Sequence, residues 1–353
     1  IFSKNNIEIF YYIVLKRKML YILTFIALFL ATTSSAQQSL RGSDDEWTQF
    51  NDFKEKFMKK YETFEEMRDR FAVFRDNLRF IRDHNSLSNQ TFTLGVNQFT
   101  DMTNDEFKSY VQRFQKPVGS FGCQPFSSNA AGAPASIDWV AKGAVTSVKD
   151  QGQCGSCWTF SSTGCMEGAW AISKGQLIDL SEEELVDCVP ARYGGMACNG
   201  GQMDGAFKYI IENGQCSNQE YPYTAGVTKT AGTCKKCTPV AHASTCYDVK
   251  ANDQLSLKAA VAKQPVSTAV QADQPVFQHY SSGVITSTSC TQNLDHGILI
   301  VGYGEENGQK YWNVKNSWSS AWGLSGYVKI ARSDSTNDAG ICGIGMMNSF
   351  ITV

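Results

Sequence analysis

The segment Gln151-Gly-Gln-Cys154-Gly-Ser-Cys157-Trp158 contains the pattern best suited to chemistry in this sequence. Cys157 opens a predicted helix, where unpaired backbone N–H groups and the positive end of the helix dipole favour a thiolate over a thiol. A thiolate there can act as a nucleophile if a neighbouring base takes and returns a proton. Near neutral pH that base is most often histidine. The segment therefore predicts a nucleophilic cysteine that needs a histidine partner.

The partner can be sought by elimination, because the sequence contains four histidines. His84 falls in an N-terminal helical region, His242 in a cysteine-rich loop, and His279 just before a Ser-Ser-Gly turn. His296 remains, at the start of the β-strand pattern Gly-Ile-Leu-Ile-Val-Gly-Tyr-Gly. We therefore predict that His296 is the base for Cys157.

Two amide side chains complete the predicted site. Asn316 lies in the segment Lys-Asn-Ser-Trp, where its amide would orient the imidazole without adding a full negative charge, and the Trp318 indole would shield the pair from water. Gln151 would direct its NH₂ group at a developing oxyanion, together with the backbone N–H of Cys157. The four predicted roles are nucleophile, base, orienting group and oxyanion donor.

The elements that must position these residues follow two different patterns. Residues after Ser156 are predicted to be helical to about Ile172; the Ser181/Glu184 capping box opens a second helix, and 203–212 a third. Beyond Pro265 the runs are β-branched and alternating, which predicts strands at 266–270, 297–301, 311–314 and 326–330. A helical lobe followed by a β lobe is an α+β arrangement, with a natural ligand site in the cleft between the lobes.

The region upstream of the two lobes has a different organisation. From Trp47 to Asn85 apolar residues recur at spacings of three and four, which predicts amphipathic helices. Residues 115–134 are rich in Gly, Ser, Asn, Pro and Ala, the composition of a protease-accessible linker at a domain boundary.

The first 36 residues have the pattern of a secretory signal. Three basic residues at 16–18 precede an apolar run over 20–30 and a small-residue stretch, so we expect cleavage after Ala36. The apolar run is too short to favour a membrane span, although the apolar stretch 10–15 leaves a signal anchor open. Because residue 1 is Ile, translation could begin at Met19.

Composition limits the class of protein further. With 353 residues and 42% hydrophobic residues, the chain can bury a sizeable core in two or three folding units. Its 32 basic and 34 acidic residues provide no strong field for nucleic acid. Twelve cysteines are typical of a secretory compartment; the two CxxC pairs, at 154/157 and 234/237, are too far apart for a compact zinc ribbon, so disulfides are favoured over zinc.

Several motifs in order resemble the papain family of cysteine proteases. They are the segment 151–158, Leu294-Asp-His-Gly297, Val301-Gly-Tyr-Gly304, and Asn316-Ser-Trp318 with Trp322-Gly323. The resemblance runs from about Pro134 to Val353 and implies a papain-like two-lobed fold over a mature domain at 133–353. It also implies peptide hydrolysis through an acyl-enzyme, with no metal and no cofactor. Ser319 and Thr159 depart from the usual Gly and Ala, which affects fine geometry rather than a reacting group.

A second resemblance covers the N-terminal region and is to the propeptides of cathepsin L-type precursors. It rests on the ERFNIN spacing and a second motif of Gly, Asn, Phe and Asp, here Glu66, Arg70, Phe74, Asn77, Ile81 and Asn85, then Gly95, Asn97, Phe99 and Asp101. A helix with ordinary polar and apolar faces is the plain alternative. The resemblance implies that 37–132 is a small helical inhibitor and folding aid whose tail occupies the cleft and whose removal, favoured by acid, activates the enzyme.

The papain-family resemblance also implies a set of disulfides. The implied pairs are Cys154–Cys198, Cys188–Cys234 and Cys290–Cys342, and the cysteines without family partners are Cys165, Cys216, Cys237 and Cys246. If Cys157 stays free and processing removes Cys123, the remaining number is even, so parity predicts cleavage after Cys123. The partners of the extra cysteines cannot be deduced from sequence, and some could be free buried thiols.

Substrate contacts are likewise implied by position in the family. They are Gly155, Gly200, Gly201, Met203, Ala269, Leu294, Gly297, Trp318 and Met347. Five of these would line an S2 pocket that is apolar or small throughout, although plain core packing would also explain such residues. Met347 at its floor offers no carboxylate for a basic P2 side chain, so Leu, Phe, Met or Val is expected at P2.

Other activities remain as alternatives. The interval between Cys188 and Cys198 is too short for a cathepsin B-like occluding loop, which favours an endopeptidase. A cathepsin H-like aminopeptidase would need a retained pro-segment tethered through Cys123. A catalytically silent inhibitor or scaffold is disfavoured because all four predicted site residues are intact.

The expected partners follow from the endopeptidase prediction. They are protein and peptide substrates and the chain's own propeptide, with cystatin-like inhibitors as a candidate class. Neither nucleic acid nor metal is an expected partner. The chain is expected to be a monomer. The expected location is the secretory pathway, ending in the lysosome or vacuole or outside the cell.

Overall fold

The computed structural model describes residues 16, 19, 44–111 and 121–353. Apart from Lys16 and Met19, the predicted signal region lies outside the described residues. Within the described part, no helix has both the length and the apolar character needed to cross a membrane. The chain divides into two compact units, Ile1–Phe71 and Ala72–Val353.

The first unit has an aromatic core. The described part of helix α1 covers residues 44–56 and buries Phe50 and Phe53 at the predicted spacing of three. Phe50 stacks on Tyr61 with ring centroids 5.9 Å apart, and the edge of Trp47 meets Phe71 at 4.8 Å. The amphipathic pattern therefore correctly predicted which side of α1 is buried.

Helices dominate the chain after α1 as far as α7, and most of the strands come later. The helices are α2 Phe64–Ser86, α3 Asn104–Val111, α4 Cys157–Lys174, α5 Glu182–Cys188, α6 Met203–Asn213, α7 Ala225–Thr228, α8 Gln254–Val261 and α9 Pro275–Gln278, with 3₁₀ turns at Ala191–Tyr193, Ala197–Asn199 and Ile341–Gly343. The strands are β1 Phe92–Leu94, β2 Gln124–Phe126, β3 Ile137–Asp138, β4 Thr245–Val249, β5 Val266–Val270, β6 Tyr280–Ile285, β7 His296–Glu306, β8 Gln309–Lys315, β9 Tyr327–Ala331 and β10 Asn348–Thr352.

Helix α4 is the central helix of the second unit. Its glycines allow close packing on the sheet: an added Cβ would lie 2.7 Å from Leu299 at Gly164 and 2.5 Å from Pro265 at Gly168. The helix ends at Gly175, whose φ of 73° places it in the left-handed region that favours glycine. A side chain at Gly164 or Gly168 would push α4, and with it Cys157, away from the strands.

Helix α5 begins where the capping box predicts. The Ser181 hydroxyl accepts a hydrogen bond from the Glu184 N–H at 3.0 Å, which satisfies one of the free donors of the first turn. In a complete capping box the Glu184 carboxylate would accept a hydrogen bond from the backbone N–H of Ser181. Here it accepts from the N–H of Cys216 at 2.7 Å.

The strands form one sheet with the order β1-β6-β9-β8-β7-β5-β10-β4-β2, and β3 pairs with β7. Strand β7 lies near its centre and is buried from His296 to Gly304. The predicted strands correspond to β5, β7, β8 and β9, which confirms that pattern. The sequence did not predict β1, β2, β3, β4, β6 or β10.

Candidate active site

Helix α4, which begins at Cys157, lies beside the first residues of strand β7, which begins at His296. Cys157 is the first residue of α4, and Gly297 packs on its backbone so tightly that an added Cβ would lie 3.4 Å from the Cys157 carbonyl carbon. The Ser161 hydroxyl donates to the Ile298 carbonyl at 2.7 Å, which fixes the helix on the strand. The fold therefore brings the predicted nucleophile into contact with the residue that follows the predicted base.

Asn316 orients the imidazole of His296. The Asn316 Oδ1 lies 2.8 Å from Nε2 of His296 and also accepts the backbone N–H of Ser317 at 2.8 Å. Because that oxygen is an acceptor, Nε2 must carry the proton. The Nδ1 atom has no hydrogen-bond partner among the described residues. His296 is therefore held in the tautomer whose Nδ1 can receive a proton.

Trp318 covers the histidine. Its fully buried indole stacks on the His296 ring, with centroids 4.6 Å apart and planes 26° apart. This contact excludes water from one face of the imidazole and limits its rotation.

Gln151 is tied to the loop that carries Asn316. Its backbone N–H donates to the Ser317 carbonyl at 2.9 Å, and its side-chain oxygen accepts from the Ser317 hydroxyl at 2.7 Å. The amide NH₂ therefore points the other way, where it donates to the Cys154 carbonyl at 3.1 Å. This orientation leaves an N–H donor on the Cys154–Cys157 side of the site.

The buried environment favours the neutral forms of Cys157 and His296. Burial raises the pKa of Cys157 to about 12, although the backbone N–H groups of Gly297 and Trp158 oppose the shift. Burial also lowers the pKa of His296 to about 4, although the hydrogen bond that its imidazole donates to Asn316 opposes the shift. The expected thiolate is therefore not the form that this occluded state favours, because the desolvation of the sulfur outweighs the stabilisation by the helix end.

Asp295 is a buried carboxyl group that the sequence reasoning did not single out. Burial raises its pKa to about 8, and its Oδ1 accepts the N–H of Ala272 at 2.7 Å. A negative charge on Asp295 would raise the Cys157 pKa further. The one sequence feature that could have pointed to Asp295 is its position directly before His296.

The second propeptide motif docks on the Trp318 side of the site. Phe99 and Phe107 each meet the Trp318 indole edge-on, with centroids 5.5 Å apart, and Gln98 Nε2 donates to the Trp318 carbonyl at 2.6 Å. The Asn97 amide donates to the Gln278 carbonyl at 2.7 Å. Gly95 lies so close to Ser281 that an added Cβ would be 3.0 Å from its hydroxyl.

Helix α2 supports that docking segment through two asparagines of the predicted ERFNIN motif. Asn77 donates to the carbonyls of Thr100 and Met102, both at 2.9 Å. Asn85 pairs with the backbone N–H and carbonyl of Leu94 at 2.9 and 2.8 Å. Three of the remaining motif residues are buried: Phe74, Ile81 and Asp101. The other two, Glu66 and Arg70, lie in the N-terminal turns of α2.

Three of the predicted substrate-contact residues are glycines. The Gly155 N–H donates to the Cys198 carbonyl at 3.0 Å. Gly201 packs on the Trp158 indole, where an added Cβ would lie 2.4 Å away, and Gly200 has a φ of 110° that favours glycine. The missing side chains agree with the prediction that these glycines contact a substrate backbone, which stays a prediction.

The cavity beside two of the predicted S2 residues has a mixed lining. Met203 and Met347 line this cavity of about 380 Å³, and Asp204 and Asp248 line it too. The assignment of the two methionines to an S2 pocket stays a prediction. The pairing of strand β4 with β10 brings Asp248 there, and no local pattern reveals that pairing.

The other three predicted pocket residues do not line that cavity. Ala269 pairs with Gly297 in the sheet, and its N–H donates to the Met347 carbonyl at 3.1 Å. Leu294 is buried just before β7.

Five disulfides are present among the described cysteines. They are Cys154–Cys198, Cys188–Cys234 and Cys290–Cys342, as the family resemblance implies, and also Cys216–Cys237 and Cys123–Cys246. Cys157 and Cys165 are free and buried. The parity argument for cleavage after Cys123 was wrong: Cys165 stays a buried thiol against the Pro265 carbonyl, so Cys246 takes Cys123 as its partner.

A buried ionic network beneath the site was not predicted. Lys149 Nζ lies 3.3 Å from Glu167 and 2.6 Å from Glu182; burial alone would lower its pKa, but these carboxylates hold it above the usual value. Lys315, next to Asn316, donates to the Thr146 hydroxyl at 3.0 Å, and Thr146 donates to Glu167 at 2.6 Å. The network supports the asparagine loop, and only the tertiary fold brings its members together.

Two family profiles match the chain. The profile for papain family cysteine proteases matches residues 133–352, and the profile for the cathepsin propeptide inhibitor domain (I29) matches residues 50–107. The first match alone covers more than half of the chain.

Relatives in plants support the same assignment. A "probable cysteine protease" of Arabidopsis thaliana is 47% identical over 300 residues, which cover 83% of this chain and 65% of that protein. The chain therefore spans slightly less than two thirds of this relative's length. The germination-specific cysteine protease 1 of Arabidopsis thaliana is 44% identical over 291 residues, covering 80% of this chain and 76% of the relative.

Solved structures of precursors show the same fold. The recombinant stem bromelain precursor matches with a TM-score of 0.79 and 38% identity, covering 88% of this chain and 99% of that one. Digestive procathepsin L 3 of Tenebrio molitor larval midgut matches with a TM-score of 0.79 and 39% identity over 87% and 99%. These matches confirm the papain-like α+β fold. The chain belongs to the papain family of cysteine proteases and carries a cathepsin-type propeptide inhibitor domain ahead of its protease domain.

Proposed function

We propose that this chain is the zymogen of a cysteine endopeptidase in which Cys157 is the nucleophile and His296 the base. The observation that carries the proposal is the fixed tautomer of His296. Asn316 holds the proton on Nε2 and leaves Nδ1 without a partner among the described residues, beside the helix start that bears the thiol.

The reaction begins with a proton transfer within this pair. Removal of the propeptide admits water, which reduces the desolvation that keeps both groups neutral, and the Cys157 proton passes to Nδ1 of His296. The thiolate attacks the carbon of the scissile carbonyl group, and the carbonyl oxygen becomes an oxyanion. The Cys157 N–H at the helix start and the Gln151 NH₂ group donate to that oxyanion.

Collapse of this intermediate gives an acyl-enzyme. His296 protonates the leaving amine, the C–N bond breaks, and a thioester to Cys157 remains. Water then attacks the thioester while His296 takes its proton, and the thiol returns as the acid product leaves. Asn316 and Trp318 keep the imidazole aligned through both steps.

Inhibition in the zymogen has a structural basis in the contacts of Trp318. The Phe99 and Phe107 rings and the Gln98 amide engage the residue that stacks on His296. A propeptide docked there excludes water from the base and blocks approach on that side. Residues 112–120, which continue the predicted tail, lie outside the described residues.

The proposed P2 preference is for an apolar side chain. Met203 and Met347 offer an apolar surface in the 380 Å³ cavity. Burial and the neighbouring Asp204 raise the pKa of Asp248 to about 7, so in acid this wall carries less charge than two carboxylates would suggest. Leu, Phe, Met or Val at P2 fits those conditions better than Arg.

The proposed organisation is a signal region at 1–36, an inhibitory propeptide at 37–132 and a peptidase domain at 133–353. The oxidised cysteines favour the secretory pathway, ending in a vacuole or lysosome or outside the cell. The proposed partners are protein and peptide substrates, the chain's own propeptide and cystatin-like inhibitors. The proposed oligomeric state is a monomer.

The test compares acid activation of wild-type residues 37–353 with Cys157→Ala and, as a matched control, Cys165→Ala. Cys165 is the second free buried thiol and lies outside the proposed chemistry. Wild type and Cys165→Ala are expected to mature and to cleave an N-terminally blocked Phe-Arg fluorogenic peptide. Cys157→Ala is expected to remain an intact, silent zymogen.

Two results would overturn parts of the proposal. The same Phe-Arg peptide with a free N-terminus is assayed alongside. Cleavage of this peptide but not of the blocked one would indicate an aminopeptidase. A processed wild-type domain that neither cleaves peptides nor reacts with an epoxide thiol label would point to a silent inhibitor or scaffold. A panel with Leu, Phe, Val or Arg at P2 tests the pocket, and a preference for Arg would contradict the apolar assignment.

A further inference from the structure

Cys123 joins a segment upstream of the protease domain to the core of that domain. It lies between the two matched regions, which end at 107 and begin at 133, and it is disulfide-bonded to Cys246 in strand β4. The loop closed by this bond spans 123 positions of sequence. The bond therefore decides what stays attached when the chain is cut between Cys123 and the protease domain.

The segment after Cys123 is part of the sheet. Strand β2 pairs in parallel with β4, placing Gln124 opposite Tyr247 and Phe126 opposite Val249, and the Lys250 N–H donates to the Phe126 carbonyl at 2.9 Å. Strand β4 is otherwise the last strand on this side of the sheet. The segment therefore covers backbone groups that an edge strand would leave open.

Side chains add to this attachment. The Phe126 ring meets Phe350 edge-on with centroids 5.2 Å apart, and the Ser128 N–H donates to the Ser256 hydroxyl at 2.9 Å. Beyond these contacts Ala131 and Gly132 are exposed. A protease can reach the chain there without first removing β2.

We propose that the Cys123–Cys246 disulfide keeps strand β2 on the protease domain after the inhibitory propeptide has been removed. A cut before Gly122 leaves the strand attached through the backbone, and a cut at Ala131–Gly132 leaves it attached through the disulfide. In both cases the processed enzyme carries β2 as its edge strand. The inference rests on the proposed function only in that the propeptide is removed.

The retained strand lies away from His296 but close to the proposed P2 site. In the sheet, β5 and β10 separate β4 from β7, the strand that begins with His296. The Cys123 sulfur and carboxylate oxygens of Asp204 and Asp248 lie within 4.8 Å of one another, and these two acidic residues line the 380 Å³ cavity. The retained segment therefore borders that cavity.

The test is non-reducing peptide mapping of processed protein. Wild type is matured in acid without reductant, and Cys157→Ala is trimmed with pepsin, so the second sample does not depend on the chain's own activity. Free thiols are alkylated under denaturing conditions before digestion, and mass spectrometry follows peptides that contain Cys123 and Cys246. Loss of residues 44–111 identifies processed molecules.

We expect a cross-linked Cys123–Cys246 peptide in the processed fraction of both samples, and Cys246 protected from alkylation. Cys123→Ser is the control: its Cys246 is expected to alkylate fully. Alkylated Cys246 together with loss of residues 121–126 in processed wild-type chain would overturn the proposal. If wild type fails to mature or hydrolyse peptide while the pepsin-trimmed sample retains the cross-link, the enzymatic proposal fails and the tether stands.

Discussion

The imidazole of His296 lies nearly parallel to the indole of Trp318, with ring centroids 4.6 Å apart. The same indole meets Phe99 of the propeptide motif at 5.5 Å. One side chain therefore contacts both the proposed base and the inhibitory segment. This relationship connects propeptide docking to the neutral state of the Cys157–His296 pair.

Phe99→Ala should weaken the inhibition. Loss of a buried aromatic contact at the centre of an interface typically costs about 2 kcal/mol or more, so we expect the zymogen's residual activity to rise about tenfold or more. The measurement is hydrolysis of a blocked peptide by unprocessed zymogen at neutral pH. Phe64→Ala is the control, because Phe64 is exposed; an equal rise in both variants would contradict the role of Phe99.

Gln151→Ala should slow peptide hydrolysis with a small effect on KM. Removal of one oxyanion donor typically lowers kcat by about 10²–10³-fold, because the donor acts on charge that develops in the transition state. The control is Gln153→Ala, two residues away and exposed. A Gln151→Ala enzyme with wild-type kcat and a raised KM would assign this side chain to substrate binding instead.

Asp248→Asn should change how stability depends on pH. Burial and the nearby Asp204 carboxyl raise the folded-state pKa of Asp248 to about 7 from an ordinary value of 3.8. Between these values the unfolded chain loses a proton that the folded chain keeps, so the free energy of unfolding falls as pH rises. Below the lower value both states are protonated and this contribution vanishes.

We therefore expect the Tm of Asp248→Asn, relative to wild type, to increase by about 2–4 °C or more between pH 4 and pH 7. Thermal melts of the unprocessed chain at several pH values measure this. The exposed Asp69→Asn is the control. A constant Tm difference across the range would contradict the shared burial of the two carboxyl groups.

Lys149→Met should destabilise the protease domain. The substitution leaves Glu167 and Glu182 buried without their cation, and breaking a buried ion pair in this way typically costs about 3–5 kcal/mol. Urea unfolding measures the change, with the exposed Lys142→Met as control. A loss below about 1 kcal/mol would show that the network is not required for the loop that carries Asn316.

The sequence was most informative where chemistry and local structure coincide. Cys157 at a helix start and Ser181 at a cap could be located because caps and helix periodicity are local signals. The proximity of His296 and Asn316 was inferred from residue types and family resemblance, and the roles of these residues remain predictions. The structure adds the tautomer and the burial, which depend on packing.

Features made by distant residues were not predictable in the same way. Strand β2 has three residues and no alternating pattern, and its partner β4 lies more than a hundred residues away. The Cys123–Cys246 bond and the approach of Asp248 to Asp204 follow from that sheet order. Cysteine parity failed because one buried thiol, Cys165, stays unpaired.

The central claim is that propeptide removal converts a neutral Cys157–His296 pair into a reactive one. The most direct measurement is the rate of iodoacetamide alkylation of Cys157 against pH, in the zymogen and in the processed enzyme, with mass spectrometry to distinguish Cys165. The account predicts that the zymogen thiol is unreactive below about pH 9, whereas the processed enzyme reacts at about pH 5–6. Identical pH profiles in the two forms would contradict it.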